Sequence, residues 1–394
     1  MSACSLQPTA SKEKLEKNKS PFVANILTVT SIFVGAILFT LFSSSKAGFA
    51  AGAIGLGQNT VNSFETLNAN RISSDSANLD KVLETFRRYS KSGAKIALWL
   101  GASQLHAINN KKAGQYTAVW HANKLAEQRG SSLRYLQISN PNGNLHEMLC
   151  SYLALTQKGL IPDIVVVAFT YDDLKEPGIR RSAYSSLKLL SASEIELLGK
   201  AGVHIQEYQL QTQEMKNKAP VTRNATTNTP QQHLEQFLVD KLEAHWPAYR
   251  HRATLKSWLT ASWKVPITSL AFRLGKRRKT YIPQSMVDWQ EPALDALIRS
   301  AQKDETKVLV YKAPHRPSKD AEFYHDRKEF DRYHQKLEKK LSGNGVYWVD
   351  LESIVPSQYW GKTNDGAPDV FHFQEEGHTR LALSVDDALQ KRGW

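Results

Sequence analysis

Short apolar runs alternate with amphipathic segments through most of the chain. The apolar runs predict five strands, at Lys95–Leu100, Leu133–Ser139, Asp163–Thr170, Lys307–Pro314 and Val346–Leu351. Several of them lack the alternation of a half-exposed strand, and such unbroken runs are typical of parallel strands that are covered on both faces. The pattern therefore predicts a three-layer α/β/α domain, in which one parallel sheet lies between two layers of helices.

Helical periodicity fills the intervals between these strands. It predicts helices at Ser73–Tyr89, Ala113–Gln128, Gly143–Thr156, Lys319–Leu341 and Thr379–Leu389. The alternation stops between about residues 175 and 300, which predicts a large helical insertion. Within it, the segment SASEIELLGK predicts a helix that Ser193 caps. A Trp- and Arg-rich stretch with the basic run Lys276–Lys279 predicts further helix there.

An uncharged apolar stretch near the N-terminus, Pro21–Phe42, is long enough to cross the hydrocarbon core of a bilayer. Four lysines in the segment before it, against one lysine soon after it, favour a cytoplasmic N-terminus. We therefore expect a single-pass protein of the bacterial inner membrane. Residues 1–20 are then cytoplasmic, 43–72 form a linker and 73–394 form the extracytoplasmic domain. A signal peptide, cleaved near Ser45-Lys46-Ala47, is the competing interpretation.

Charge and cysteine content extend this picture. The 51 Lys and Arg residues against 38 Asp and Glu residues give a net charge of +13, which favours contact with anionic lipids or polymers. No zinc-finger, RNA-recognition or basic-zipper pattern accompanies the charge, so nucleic acid is not an expected partner. Cys4 and Cys150 fall on opposite sides of the predicted membrane, so no disulfide is expected. No metal-ligand spacing or phosphate-binding loop occurs, and we expect no cofactor.

Ser103 is the first candidate for chemistry. It lies in Gly101-Ala102-Ser103-Gln104, directly after the first predicted strand, where open α/β sheets place their active sites. The alternative is that this serine only caps a following helix, which is the commoner role of a serine at such a turn. His106 is close to Ser103 in sequence, and we expect it to line the pocket or belong to the helix rather than to act as a base.

A carboxylate and an imidazole three residues apart follow the last predicted strand. Asp369 and His372 are close enough in sequence for the carboxylate to orient the ring and stabilise its charged form. The alternative is an aspartate that caps a turn and a histidine on an ordinary loop. Because the carboxyl ends of parallel strands meet at one edge of a sheet, we expect Ser103, Asp369 and His372 to lie together.

These motifs together resemble those of the SGNH/GDSL hydrolases: Gly-x-Ser after the first strand, a Gly-bearing loop after the second, and D-x-x-H before the last helix. The resemblance covers Lys95–Thr170 and Lys307–Trp394 and implies a flavodoxin-like sheet. It implies that Ser103 is the nucleophile, His372 the general base and Asp369 the residue that orients the base. It also implies an oxyanion hole that includes the N–H groups of Ser103 and Gly143.

The third oxyanion donor of that family is an Asn, and Asp172 stands near its place in this chain. An ionised Asp172 would repel a developing oxyanion rather than donate to it. Three alternatives stay open: Asp172 is protonated, Asn142 supplies the donor, or the chain does not hydrolyse its ligand. The serine motif also departs from the family, because it reads GASQ instead of GDSL.

An N-terminal anchor, an atypical serine motif and a basic outer domain most resemble the DltD-like and AlgJ/AlgX-like branches of the family. This resemblance implies an anchored serine esterase or O-acyltransferase that acts on acyl groups of a cell-envelope or extracellular polysaccharide. A multi-pass O-acyltransferase is the implied protein partner. The alternative is an inactive scaffold that keeps the fold and binds an anionic polymer or that membrane partner.

Four further residues are candidates for substrate binding. Lys312, His315 and Arg316 end the fourth predicted strand at the same edge as Ser103, and their charges suit an acidic sugar or a phosphate. A proline-rigid loop with solvated charges is the alternative for these three. His378 is the fourth candidate, because it opens the last predicted helix next to the predicted catalytic pair.

Overall fold

The structure is a computed structural model, and it describes residues 60–175, 178–180, 183–203, 282–317, 323, 325–362 and 368–394. The predicted membrane span Pro21–Phe42 and the basic run Lys276–Lys279 lie outside the described residues. None of the helices in the described part of the chain is both long and apolar enough to cross a membrane.

The strands of the described residues are β1 (Val61–Asn62), β2 (Thr66–Leu67), β3 (Asn70–Arg71), β4 (Ser73–Ser74), β5 (Lys95–Gly101), β6 (Ala107–Ile108), β7 (Leu133–Ser139), β8 (Ile164–Phe169), β9 (Lys307–Lys312), β10 (Tyr347–Asp350), β11 (Trp360–Lys362) and β12 (Pro368–Phe373). Six of them form the central sheet in the order β10-β9-β8-β5-β7-β4, and every neighbouring pair is parallel. The predicted parallel α/β architecture is confirmed, with six strands in place of the predicted five.

The central strands are buried on both faces. All six residues of β8 are buried, and so are six of the seven residues of β5. Covering both faces requires helices on each side of the sheet, which accounts for the unbroken apolar runs. In the sheet register, Gly101 pairs with Ser139 and Phe169 pairs with Lys312. The segments that leave these four residues therefore start at one edge.

The sixth strand, β4, lies within the predicted helix Ser73–Tyr89. Its two serines are buried beside β7, where Ser73 pairs with Gln137. Two small polar residues carry no hydrophobic pattern, so no periodicity in the sequence predicts this strand. The helix begins later, at Leu79, after a 3₁₀ turn at Ser76–Asn78.

Residues 60–72, which were predicted as the end of a linker, are folded. β1 pairs antiparallel with β6, and β2 and β3 form a hairpin. Asn68 and Ala69 connect that hairpin with φ angles of 49° and 60°, the left-handed conformation that two-residue hairpin turns use. Strands of two residues are too short for a periodic signal, and the linker prediction is therefore wrong at its C-terminal end.

The helices of the described residues are α1 (Leu79–Lys91), α2 (Ala118–Gln128), α3 (Leu145–Thr156), α4 (Tyr184–Leu187), α5 (Ala192–Lys200), α6 (Gln284–Lys303), α7 (Arg327–Gly343) and α8 (Glu375–Lys391). Helix α2 packs against α8, and α3 packs against α6. Most of α6 was predicted within the insertion, but it also packs against β9 and buries Leu294 and Leu297 in the core. Ser191, not Ser193, caps α5, because its Oγ accepts a hydrogen bond from the N–H of Glu194.

Candidate active site

Ser103, His372 and Asp369 lie together at the carboxyl edge of the sheet. The Ser103 Oγ is 3.1 Å from Nε2 of His372, and Nδ1 of the same ring is 3.1 Å from Oδ2 of Asp369. When Nδ1 carries its proton and donates it to the carboxylate, Nε2 is left to accept from the serine hydroxyl. The three side chains form a continuous hydrogen-bonded chain from hydroxyl to carboxylate.

The end of β5 directs Ser103 toward the histidine. Ser103 is the first residue of a 3₁₀ turn that ends at Leu105, and the short strand β6 follows in place of the predicted helix. The turn packs tightly on the sheet, since a Cβ at Gly101 would lie 2.7 Å from Leu105 Cδ1 and 2.8 Å from Ala168 Cβ. Only a glycine fits at that strand end. The hydroxyl of Ser103 pairs with His372 rather than capping an α-helix.

Asp369 is held as a carboxylate by several donors. Its Oδ1 accepts from the backbone N–H groups of Phe371, at 2.8 Å, and His372, at 3.1 Å. Burial raises the pKa of Asp369, but the hydrogen bond and charge of His372 and these two backbone bonds outweigh burial, so the pKa is lowered from its ordinary value. The ionised carboxylate is therefore available to fix the tautomer of His372 at neutral pH.

Asn109 is a site residue that no motif or spacing in the sequence singles out. Its side chain is fully buried, and Nδ2 lies 3.1 Å from Oδ2 of Asp369 and 3.0 Å from the carbonyl of Lys362. Its Oδ1 accepts from the N–H of Lys362 at 3.2 Å. A Cβ at Gly361 would lie 1.8 Å from Cγ of Asn109. The amide thus ties the segment before Asp369 to the segment after β6, and only the folded structure brings these segments together.

Replacing Asn109 with Ala is expected to lower the free energy of unfolding by about 1–3 kcal/mol, because it removes the buried hydrogen bonds that the amide makes to Asp369 Oδ2 and to the backbone of Lys362. Urea unfolding monitored by tryptophan fluorescence measures the loss. Thr60→Val is the milder control, since Thr60 contributes a single bond to the Asn109 amide, at 2.9 Å. A loss for Asn109→Ala no larger than the one for the control would contradict this role.

A cavity of about 300 Å³ adjoins Ser103 and His372. Both residues line it, together with Asn142 and Gly143 from the loop after β7 and Asp172 from the loop after β8. The loops that follow β5, β7 and β8 therefore meet around Ser103, as the sheet register requires. A ligand in this cavity lies against Ser103 and His372 at once.

The loop after β7 carries two of the expected oxyanion groups. Gly143 packs so closely against the serine loop that a Cβ there would lie 3.1 Å from Cα of Ala102. Its N–H, however, donates to the carbonyl of Asn140 at 2.9 Å within the turn. Asn142 occupies the left-handed region with a φ of 52° and lines the cavity. The amide of Asn142 is neutral and can donate hydrogen bonds, and the residue lines the same cavity as Ser103.

Asp172 has a basic side chain on each side. Its Oδ1 pairs with Lys175, and its Oδ2 lies 3.3 Å from Nε2 of His325. Burial raises the pKa of Asp172, but the hydrogen bonds and charges of His325 and Lys175 outweigh burial, so the pKa lies below its ordinary value. Because an ionised carboxylate has no proton to donate, the alternative of a protonated Asp172 in the oxyanion hole does not fit this environment.

Two of the four expected substrate-binding residues lie away from the cavity. Lys312 is buried, pairs with Glu352 and lies 3.4 Å from Asp350. His378 is fully buried, and its Nε2 is 3.3 Å from the carbonyl of Ala107. The sequence places Lys312 at the sheet edge and His378 at the start of the last helix, but neither residue is among those that line the cavity. These two substrate-binding predictions are therefore corrected: both residues support the core.

The other two expected residues have different positions. His315 lines the cavity, and its Nδ1 lies 3.0 Å from the carbonyl of Ala313. Arg316 donates from Nη1 to the carbonyls of Gly361, at 2.8 Å, and Asp369, at 3.1 Å. Arg316 lines only a small extension of the cavity. It fixes the segment that carries the catalytic carboxylate, which the sequence did not predict.

His106 is a buried histidine that is close to Ser103 in sequence. His106 is fully buried, stacks on Phe64 and lies with Nδ1 2.8 Å from Oγ of Ser139. Burial lowers its pKa to about 3, so the ring is neutral at physiological pH. It contacts the core and not the serine hydroxyl.

Among the described residues, no group of three or more His, Cys, Asp or Glu side chains is arranged to hold a metal ion.

Glu352→Gln is expected to reduce stability at neutral pH by about 1–3 kcal/mol, because it leaves Lys312 buried with a weaker partner. Burial raises the pKa of Glu352, but hydrogen bonds from Arg327 and Lys312 outweigh it and lower the pKa to about 2. The stabilisation is therefore complete above the ordinary pKa of 4.5 and is lost as the pH falls toward 2. Urea unfolding at pH 7 and at pH 3 measures both values. A difference between variant and wild type that does not shrink at pH 3 would contradict the assignment.

Comparison with protein-family models finds no match, and comparison with curated proteins finds none either. Solved structures do resemble the chain. One is a GDSL-like lipase from Bacteroides thetaiotaomicron, with a TM-score of 0.32 and 10% identity over 79% of this chain and 99% of that chain. Another is a lipase/acylhydrolase from Enterococcus faecalis, with a TM-score of 0.37 and 11% identity over 76% of this chain and 96% of that chain.

A third is a carbohydrate esterase family 2 enzyme with a carbohydrate-binding domain from Corynascus thermopiles, with a TM-score of 0.32 and 10% identity over 76% of this chain and 67% of that chain. The structures that resemble this chain thus include GDSL-like lipases, acylhydrolases and an esterase. All three TM-scores are below 0.5. The fold of this chain is therefore described from the order of its own strands. The candidate site is described from the distances around Ser103.

Proposed function

We propose that the chain is a membrane-anchored, extracytoplasmic serine esterase or O-acyltransferase that acts on acyl groups of a cell-envelope or extracellular polysaccharide. The observation that carries the chemical part is the hydrogen-bonded chain from Ser103 through His372 to Asp369, with the serine hydroxyl exposed to a cavity. A hydroxyl, a base and a carboxylate in this order constitute the machinery of acyl transfer through a covalent intermediate.

The reaction divides into two proton-balanced halves. In the first, His372 Nε2 takes the proton of Ser103 as Oγ attacks the ester carbonyl, and then gives that proton to the departing alcohol. An acyl-serine remains. In the second, water or an acceptor hydroxyl loses its proton to the same nitrogen and attacks the acyl-serine, which releases an acid or a new ester and restores the Ser103 hydroxyl. Asp369 stabilises the imidazolium formed in each half.

The negative charge on the carbonyl oxygen needs donors that are already in place. Asn142 is the side chain proposed for this role, because the residue lines the cavity that Ser103 also lines and its neutral amide can donate. The backbone N–H of Ser103 is the second donor in this proposal. Asp172 does not contribute a donor, since it is ionised and held between Lys175 and His325.

Location and substrate are proposed from the sequence. The uncharged segment Pro21–Phe42 supports an anchor in the bacterial inner membrane with an N-terminus in the cytoplasm, and the net charge of +13 supports binding to an anionic polymer or to the membrane surface. Transfer to a polysaccharide hydroxyl would place the chain beside a multi-pass O-acyltransferase that supplies acyl groups.

A non-catalytic scaffold is the second candidate function. The specific observation in its favour is the ionised Asp172, which removes the side-chain oxyanion donor expected at that position. In this role the fold would bind an anionic polymer or the membrane-bound partner through its positive charge. Such binding would weaken with salt and would survive replacement of both Ser103 and His372.

Hydrolysis of p-nitrophenyl acetate by the full-length chain in detergent tests the proposed activity. We expect saturable turnover above the rate of a sample unfolded by heat, together with release of acetate from an O-acetylated polysaccharide. A folded chain that turns over neither ester, and still binds the polymer in a salt-sensitive manner, would overturn the enzymatic proposal and favour the scaffold.

A further inference from the structure

Asp172 lines the same cavity as the nucleophile and the base. The cavity of about 300 Å³ is bounded by Ser103, His372 and Asp172, and a ligand there is within reach of all three. The side chain of Asp172 retains 22% of its solvent exposure. An acyl ester positioned for attack by Ser103 therefore has part of its alcohol or acyl group near a carboxylate that the acyl-transfer steps do not use.

The hydrogen bonds of Asp172 leave acceptor capacity toward the cavity. Among the described residues, Oδ1 contacts Lys175 and Oδ2 lies 3.3 Å from Nε2 of His325. A carboxylate offers about four acceptor sites in total. The two cationic or polar partners fix the orientation of the group before a ligand arrives, which lowers the cost of forming further bonds.

Lys175 also limits the electrostatic penalty that this carboxylate imposes on catalysis. A lone anion beside Ser103 would oppose the negative charge that develops on the ester carbonyl oxygen. The ammonium of Lys175 pairs with Asp172 and lines the same cavity. The pair adds little net charge, so the carboxylate can serve as a hydrogen-bond acceptor without cancelling the oxyanion donors.

We propose that Asp172 binds a hydroxyl group of the alcohol portion of the substrate, so that the cavity selects esters of polyhydroxylated alcohols such as sugars over esters of simple alcohols. This inference rests on the proposed esterase or acyltransferase function. A hydroxyl donates the hydrogen bond, and the fixed carboxylate accepts it. Hydrogen bonds to a charged group discriminate strongly against a ligand that lacks the donor.

Asp172→Asn tests the proposal with two acetate esters. For a methyl glucoside that carries one O-acetyl group, we expect kcat/KM to fall about 10- to 100-fold, because a charge-assisted hydrogen bond is lost. For p-nitrophenyl acetate, whose leaving group has no hydroxyl, we expect either a rise in kcat/KM or a fall at least about 10-fold smaller than the fall for the glucoside, since an amide can donate to the oxyanion. Asp387→Asn, on the exposed face of α8, is the matched control and leaves both values unchanged.

Substrate analogues provide a test that needs no variant. Monodeoxy forms of the same acetyl glucoside each lack one hydroxyl, and wild type is expected to turn over at least one of them about 10-fold less efficiently than the parent. That difference disappears in Asp172→Asn. Equal kcat/KM for the parent and every deoxy form in wild type, or equal losses for the sugar and the aryl ester in the variant, would overturn the proposal. Absence of turnover of both the aryl ester and the sugar ester by folded wild type would instead contradict the esterase function itself.

Discussion

Ser103→Ala is expected to lower kcat for ester turnover by at least about 10³-fold while leaving the fold intact. The hydroxyl is the atom that forms the covalent intermediate, and His372 has no other nucleophile among the side chains described at this site. Residual turnover then comes from water activated by His372 and from the oxyanion donors alone. Steady-state kinetics with p-nitrophenyl acetate measure the loss.

A second serine provides the control that the loss of kcat is specific to Ser103 and does not come from a loss of protein stability. Ser193→Ala, on the exposed surface of α5, is expected to keep wild-type kcat. Both variants should unfold at wild-type urea concentrations, because neither hydroxyl supports the core. A Ser103→Ala variant that retains more than about a tenth of wild-type kcat would remove the basis for covalent catalysis.

Asp369→Asn is expected to lower kcat by about 10³- to 10⁴-fold, with little change in KM. When Nδ1 of His372 carries its proton, the carboxylate accepts a hydrogen bond from it and leaves Nε2 free to accept from Ser103. An amide in its place can donate to Nδ1. It then favours the tautomer in which Nε2 carries the proton, and Nε2 can no longer accept the proton of Ser103. Kinetics at saturating ester, compared with the urea stability of the same variant, separate lost catalysis from lost folding.

Asp387→Asn makes the same chemical change on the exposed face of α8 and should leave kcat at the wild-type value. Burial and the donors around Asp369 predict some loss of stability for the catalytic variant alone. A fall in kcat below about tenfold in a folded Asp369→Asn would mean that the carboxylate does not set the state of His372.

The meeting of the three catalytic side chains follows from rules that can be applied to the sequence. Parallel strands end at one edge, and Ser103 follows the first strand of the predicted set while Asp369 and His372 follow the last. Long apolar runs defined those strands, and β7 was predicted with the bounds that the structure has. The placement of the site therefore depended on periodicity, strand order and the D-x-x-H spacing.

Side-chain direction at the same edge could not be obtained that way. Lys312 and His315 are three residues apart in one predicted segment, yet Lys312 pairs with Glu352 and His315 lines the cavity. Strand residues alternate between faces, and the chain beyond a strand turns as its packing dictates. His378 likewise faces the core, because the helix that contains it packs against α2.

Hydrogen bonds to the site from residues far away in the sequence could not be predicted either. Asn109 and Asp369 are 260 positions apart, and their hydrogen bond exists only because the segment after β6 passes β12, which contains Asp369. An Asn next to a second Asn and two Lys residues carries no local signal of such a role. The environment of Asp172 belongs to the same class, since His325 approaches it from 153 positions away.

Labelling with a fluorophosphonate ester, followed by peptide mass spectrometry, tests most directly whether Ser103 is an activated nucleophile. The reagent forms a stable bond with a serine hydroxyl only when a base and oxyanion donors activate it. In the full-length chain we expect one rapidly labelled site, on the peptide that contains Ser103, and loss of ester turnover in proportion to labelling. An active chain that stays unlabelled at Ser103, or that is labelled at another residue at the same rate, would contradict the account.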